Sequence, residues 1–298
     1  MLATLDWFVV VIYLSGLVAM SLHLSRRQET AEDYFVAGNS SGPISVALSV
    51  MATQCSTNSI LGAPAFVAFV VGGGLVWLQY ELALPLAMIF IAIFLIPVFH
   101  RQRLVSVYLY LGRRFDDKTQ LLISGMFQLS RAAVAGITVY GVASMIAITT
   151  GLSFAQSVVL FGAITIIYDV LGGIRAVIVS DVIQMIILTS VLGYLACLLI
   201  GSAGGLESML AQIPAERTAA LSFRHHGLGD GHDFAFLPML IGGFFLYVAY
   251  YGCDQSQVQR QLCAATQDDN QKILIINGVL RFPLVLLYCL IGAGLAAY

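Results

Sequence analysis

Long apolar runs separated by short polar stretches organise this chain of 298 residues. Eight runs are close to the roughly twenty residues that a bilayer crossing needs. They cover about 5–24, 44–70, 74–98, 120–148, 153–169, 177–201, 235–258 and 273–297. None alternates apolar with polar residues, so the pattern predicts helices throughout and an all-α polytopic membrane protein.

The second run breaks the pattern. ALSVMATQCSTNSILGAPAFVAFV, Ala47 to Val70, has Thr53, Gln54, Ser56, Thr57, Asn58 and Ser59 at its centre, with Gly62 and Pro64 just beyond. Unsatisfied polar groups facing lipid cost several kcal/mol each. A helix that breaks at the bilayer midplane relieves this cost, because its freed carbonyls and half-helix ends can line a site for an ion and a solute. The alternative is a continuous helix whose hydroxyls bond back to the carbonyls four residues earlier.

Composition agrees with the membrane reading: 59% of residues are hydrophobic, 10% are charged, and mean hydropathy is +0.90. Lipid bilayer is the expected surrounding. The net charge of −2 carries no basic patch for nucleic acid. Cys55, Cys197, Cys253, Cys263 and Cys289 lie in or beside apolar runs without metal or redox spacing, which suits free thiols. The first run follows Asp6 and ends at Arg26-Arg27, unlike a cleaved signal peptide. With the N-terminus outside, ten of the 14 basic residues fall in inner loops, and only Arg217 and Arg224 in outer ones. The expectation is therefore an integral plasma (inner) membrane protein with its N-terminus outside. The outer segment near 203–233 reads as a solvated loop despite His225, His226 and His232, and Gly72-Gly73-Gly74 as a tight turn.

Charges within the spans are the next signal, since each costs roughly 2.5–3.5 kcal/mol or more at a helix centre unless paired or facing a cavity. Glu81 follows Gln79 and Tyr80, and three adjacent polar groups suggest a cavity face. Arg131 and Arg281 could each hold a solute carboxylate through a bidentate fork or pair with a carboxylate on a neighbouring helix. Asp181 could cap its helix or line an ion path. Tyr247, Tyr250 and Tyr251, beside Gly252 and Asp254, suit a gate stacked over a small solute.

Four segments, in order, resemble the sodium/solute symporter family: DYFVAGNSSGP (33–43), LVSVYLYLGRRF (104–115), YDVLGGIRAVIVSDVIQ (168–184) and CDQSQVQRQLCA (253–264). The resemblance implies a leucine-transporter-like fold, two five-helix inverted repeats around a midplane site. It implies a single transmembrane domain over 1–298: an extra helix at 5–24, core helices one to five over 44–201, the outer loop, and core helices six and seven over 235–297. Core helices eight to ten have no counterpart in this sequence. Sodium is the coupling ion that the family implies, held by backbone carbonyls of Ala52 and Cys55, with Asp181 on the sodium path; the family's hydroxyl ligands on core helix eight are missing. Solute ligands carried over from relatives are Gln54, Ser56 and Ser59, then Gln79, Tyr80 and Glu81, then Arg281. Tyr250 matches the inner aromatic gate, and Tyr251 stands where sugar carriers often have Trp. Arg131 resembles a carboxylate-binding arginine, about one turn early. The run from Gln257 to Gly292 looks most like the branch carrying monocarboxylates, vitamins and related anions. The expected function is sodium-coupled symport of a small organic solute, a carboxylate or other anion first and a sugar, sialic acid or amino acid second. No catalytic triad, phosphate loop or organic cofactor motif points to an enzyme. A sensor domain, a channel and a non-functional fragment are the rival readings.

Overall fold

The computed structural model describes residues 3–25, 30–102, 104, 106–232 and 234–298, with the backbone alone for residues 31, 32, 39, 57, 58 and 169. Arg26, Arg27 and Arg103, counted above among the inner-loop charges, lie outside the described residues. The described residues form helices and no strand; two chain segments meet in a single parallel bridge between Ser41 and Ala264.

Helix α1 (Thr4–Ser25) is followed by the short α2 (Ala31–Val36). The second apolar run is two helices, α3 (Pro43–Gln54) and α4 (Thr57–Phe69). Pro43 opens α3, where its missing N–H costs nothing. The third run is nearly continuous: α5 (Trp77–Glu81), α6 (Ala83–Phe90), a π-helical turn (Ile91–Leu95) and α7 (Ile96–Arg101). The amphipathic α8 (Val107–Arg114) carries Arg113 and Arg114 in its last turn. Helix α9 (Asp117–Thr150) starts at Asp116, whose carboxylate accepts the Thr119 N–H at 2.7 Å.

One expected boundary changes. Runs five and six, together α10 (Phe154–Ser202), are two helices that meet at a kink at Gly173 (φ 59°, ψ −173°), within the expected gap between them. A residue with a Cβ is strained in that region, so glycine marks the division. The seventh run does not reach 258: α13 (Phe236–Cys253) stops at Asp254, and α14 (Gln255–Gln261) begins after it. Asp254 is extended and its carboxylate caps α14, accepting from Ser256 N at 2.9 Å and Ser256 Oγ at 2.6 Å. Between α10 and α13, the expected loop contains α11 (Leu206–Ala211) and α12 (Ala215–Thr218). Helix α15 (Gln267–Ala297) completes the bundle.

Among the described residues, six helical spans are long and apolar enough to cross a membrane, with shorter apolar helices at 43–54, 59–69 and 154–168. The interior forms two apolar clusters. One joins Val46 and Val50 of α3 to Leu84, Ile91, Tyr247, Tyr251, Val258, Ile273 and Leu274. The other joins Ala63 and Val67 of α4 to Leu78, Met185, Leu192, Met239, Leu284 and Tyr288. Tyr80 packs against both, and α3 also reaches both, since Met51 joins the second cluster and Cys55 packs against it.

Candidate functional site

The break is a specific backbone shape. Cys55 has φ −76° and ψ 66°, and Ser56 N donates to the Gln54 carbonyl at 2.8 Å. That is an inverse γ-turn, which reverses the chain within one residue. Ser56 is extended and sits at the start of α4. Cys55 N is held by the Ala52 and Met51 carbonyls, at 3.0 and 3.1 Å, and Ser59 Oγ reaches back over the turn to the Gln54 carbonyl at 3.2 Å. The back-bonded alternative applies to Thr53, whose Oγ1 donates to the Ser49 carbonyl at 2.8 Å. The Asn58 side chain lies outside the described residues.

Facing the break is a buried charge pair. Glu81 Oε1 accepts the Tyr247 hydroxyl at 2.9 Å, and Glu81 Oε2 accepts Arg281 Nε at 3.2 Å. The Arg281 guanidinium also stands 5.8 Å over the Tyr247 ring. Of the two roles open to Arg281, the structure shows the pair. Tyr80 stacks at 5.3 Å on Tyr247 and at 5.8 Å on Trp77. Gln79 is wholly buried, but its amide serves the segment between α12 and α13: Nε2 donates to the Phe234 carbonyl at 2.7 Å, and Oε1 accepts Ser222 N at 2.9 Å. It clamps that segment and offers the break nothing in this conformation.

The second break carries a second pair. Arg131 of α9 pairs with Asp254 and donates to Ser256 Oγ at 3.0 Å, with its guanidinium 5.6 Å over both Phe127 and Tyr250. Ser256 also joins a third pair, because its carbonyl accepts Arg260 Nη1 at 2.7 Å. Arg260 Nε reaches Asp181 at 3.3 Å and Ser49 Oγ at 3.0 Å, and Ser49 Oγ donates to Asp181 at 2.5 Å. Asp181 lies two turns past Gly173, so it does not cap a helix. A chain of polar contacts thus links α9, the α13–α14 break, α10 and α3.

The expected residues therefore fall into three places. Ala52, Gln54, Cys55, Ser56 and Ser59 form the first break, with Tyr80, Glu81, Tyr247 and Arg281 beside it. Arg131 and Tyr250 belong to the second break. Asp181 belongs to the Arg260 cluster. The sequence reading misses Ser49, Arg260 and Tyr288. Tyr288 is one helical heptad beyond Arg281, hence on the same face of α15, and that spacing is the signal that finds it.

The sequence profile of the sodium:solute symporter family matches residues 34–297. A putative sodium-dependent multivitamin transporter of Drosophila melanogaster is 31% identical over 86% of this chain and 42% of its own length. Sodium-coupled monocarboxylate transporter 2 of Bos taurus is 29% identical over 95% of this chain and 45% of its own. The sodium/sialic acid symporter NanT of Aliivibrio fischeri is 30% identical over 99% and 58%. Among solved structures, a substrate-bound, outward-open Na+-coupled sialic acid symporter superposes with a TM-score of 0.91 at 24% identity, over 99% of this chain and 61% of that one. The leucine-transporter-like architecture is therefore shared, and the chain spans about half the length of these curated relatives.

Proposed function

This chain belongs to the sodium:solute symporter family, and on that premise we propose that the complete protein couples sodium entry to uptake of a small organic anion, a carboxylate first. The observation that carries the reading is the γ-turn break beside a buried Glu81–Arg281 pair.

Sodium binds at the carbonyls around Ala52 and Cys55, where a turn of backbone has left the helical ladder. The solute lies against Gln54, Ser56, Asn58 and Ser59 of the break and against Tyr80, Glu81, Tyr247 and Arg281. Gln79 acts one step back, by holding the segment above α5. Tyr250, stacked on Arg131, closes the side toward α14. Asp181 lines the path by which sodium leaves. The N-terminus lies outside, the Gly173 and Arg260 end inside, and the membrane is the plasma (inner) membrane. Alternating access then needs rocking of helices and no covalent step, so the protein is a carrier and not an enzyme, and it takes no organic cofactor.

The charge pairs support sodium as the partner of an anion. Arg131, Arg260 and Arg281 each face a carboxylate, so the fixed charge of these pairs cancels. A buried anion needs a compensating positive charge, and the coupling ion supplies it. Sodium and the solute therefore raise each other's affinity.

Uptake into proteoliposomes tests the reading. The complete protein is given an inward sodium gradient, or potassium in its place, with labelled acetate, pyruvate, pantothenate, sialic acid, proline and glucose. Saturable uptake of one carboxylate with sodium only is expected. Equal uptake in both salts overturns the coupling, and sodium-driven uptake of glucose or proline alone overturns the anion.

A further inference from the structure

A relay of buried amides runs through α14 and the start of α15. The Tyr251 carbonyl lies in the last turn of α13, where the helix stops at Cys253 and leaves it outside the helical ladder. Gln261 Nε2 donates to it at 2.8 Å, from the far end of α14. The Gln261 carbonyl is left over in the same way where α14 stops, and Asn270 Nδ2, in the first turn of α15, donates to it at 3.1 Å. The same Asn270 nitrogen stands 3.3 Å from His100 Nε2 of α7. Gln261 and Asn270 are both 0% exposed. Two buried side chains thus cap two helix ends in series, and the α13–α14 break lies between the capped carbonyls.

The relay fixes the state of His100. Asn270 must turn its nitrogen to the Gln261 carbonyl, since the opposite amide orientation sets oxygen against oxygen. That nitrogen has two protons, one for the carbonyl and one for the imidazole, so His100 Nε2 is the bare, accepting nitrogen of a neutral ring. A proton on Nε2 sets donor against donor. The amide then turns, its oxygen accepts from the imidazolium, and the Gln261 cap is lost. Asn270 Oδ1 has no hydrogen-bond partner among the described residues, so the turn breaks no other bond. Around His100, the π-helical turn carries no titratable group, α7 adds Arg101, and the start of α15 adds Asp268, Asp269 and Lys272. Asp269 is already engaged by Thr266 and Lys272. We propose that Gln261 and Asn270 are positioning residues for the α13–α14 break, and that a proton on His100 releases them and loosens α14 on the side that Tyr250 closes. The inner side of the carrier then responds to cytoplasmic pH. This goes beyond the symport reading and rests on it only for which side is the inner one and for what the break controls.

Hydrogen exchange over residues 254–264 of the complete protein, taken relative to the intrinsic rate at each pH, tests the relay without any solute. From pH 8 to pH 5, the range across which an ordinary histidine charges, protection in the wild type should fall about tenfold, as for the loss of one buried hydrogen bond. His100→Gln keeps an acceptor for Asn270 and does not charge, so its protection should stay high at both pH values. Asn270→Ala lacks the cap and should be poorly protected at both. Equal protection of the wild type at the two pH values overturns the proposal, and so does a fall in His100→Gln as large as in the wild type. In liposomes, acid on the inner side should change the Vmax of sodium-driven uptake by the wild type with KM unchanged, and leave that of His100→Gln as it was. A purely structural role moves the melting temperature and gives both proteins the same pH profile, which overturns the link to transport. Absence of sodium dependence for every solute fails the symport reading alone, and the exchange still decides the relay.

Discussion

Glu81 and Arg281 are buried together, and each makes the other tolerable. Removing one partner strands a charge in the bundle at a cost of about 3–5 kcal/mol, whereas replacing both with apolar or neutral groups of like volume costs far less. Glu81→Gln and Arg281→Met are each expected to lower the thermal midpoint in detergent sharply, and the double variant to recover most of the loss. Midpoints that simply add would show that the pair is not coupled. A milder case lies in the segment before α13. The Gly227 N–H donates to Asp230 Oδ2 at 3.0 Å and the His232 N–H to Oδ1 at 3.1 Å. The Gly227 bond foremost, aided by that of His232 and by the potential of His226 and His232, holds the Asp230 carboxyl below its usual range. A depressed folded-state value means that the stabilisation is complete above the unfolded value of about 3.9 and is lost as pH falls through the lower folded one. Protection of the Gly227 and His232 amides, taken as measured exchange relative to the intrinsic rate at each pH, should stay constant from neutral pH down to about 5 and fall below about 4; Asp230→Asn should lack this protection at all of these pH values.

Elements divide where the backbone is forced to leave the helix. At Gly173 the reason is conformational: φ 59° with ψ −173° excludes a Cβ, so Gly173→Ala should cost about 1–3 kcal/mol and broaden or lower the melt, while Ala at Gly162, where a Cβ meets nothing within 4 Å, should not. Between α12 and α13 the reason is side-chain chemistry. Gln79 binds Ser222 and Phe234, Arg217 Nη1 caps the Val67 carbonyl at 3.0 Å, and the Arg217 carbonyl accepts Leu75 N at 2.8 Å. Gln79→Ala is expected to free this strap, read as faster proteolysis between residues 218 and 235 without loss of the helical signal. The spans themselves were legible because roughly twenty apolar residues in a row have one use. The first break was legible because six polar side chains crowd its centre. The second was not: the polar run that starts at Asp254 reads equally as the tail of a span, and the capping by Asp254 depends on Ser256 being turned toward it. Gln79 reads as a cavity residue from its neighbours Tyr80 and Glu81, yet its partners are more than 140 residues away in the chain. The pairing of Arg131 with Asp254, across 123 positions, is likewise a property of packing and not of spacing.

At the scale of the molecule, two apolar cores share a polar seam. Helix α3 reaches both, through Val46 and Val50 on one side and Met51 on the other, and α15 likewise runs from Ile273 and Leu274 in the first core to Leu284 and Tyr288 in the second. The polar chain through Ser49, Asp181, Arg260, Ser256, Asp254 and Arg131 binds α3, α9, α10 and α14 on one side of that seam. Ser256→Ala takes out the hydroxyl shared by Arg131 and Asp254 and should favour the form open on that side. A thiol reagent applied to a single-cysteine protein retaining Cys253, exposed one residue before Asp254, would report it as faster labelling.

The three ion pairs have an electrical consequence. Each couples one positive to one negative group a few ångströms apart, so a pair that travels as a unit through the transmembrane field has no net work done on it. The membrane potential then acts on the cargo alone. In a voltage-clamped cell the transient charge movement that follows a voltage step, recorded with neither sodium nor solute present, should therefore be close to zero, and a large transient would show that a pair separates.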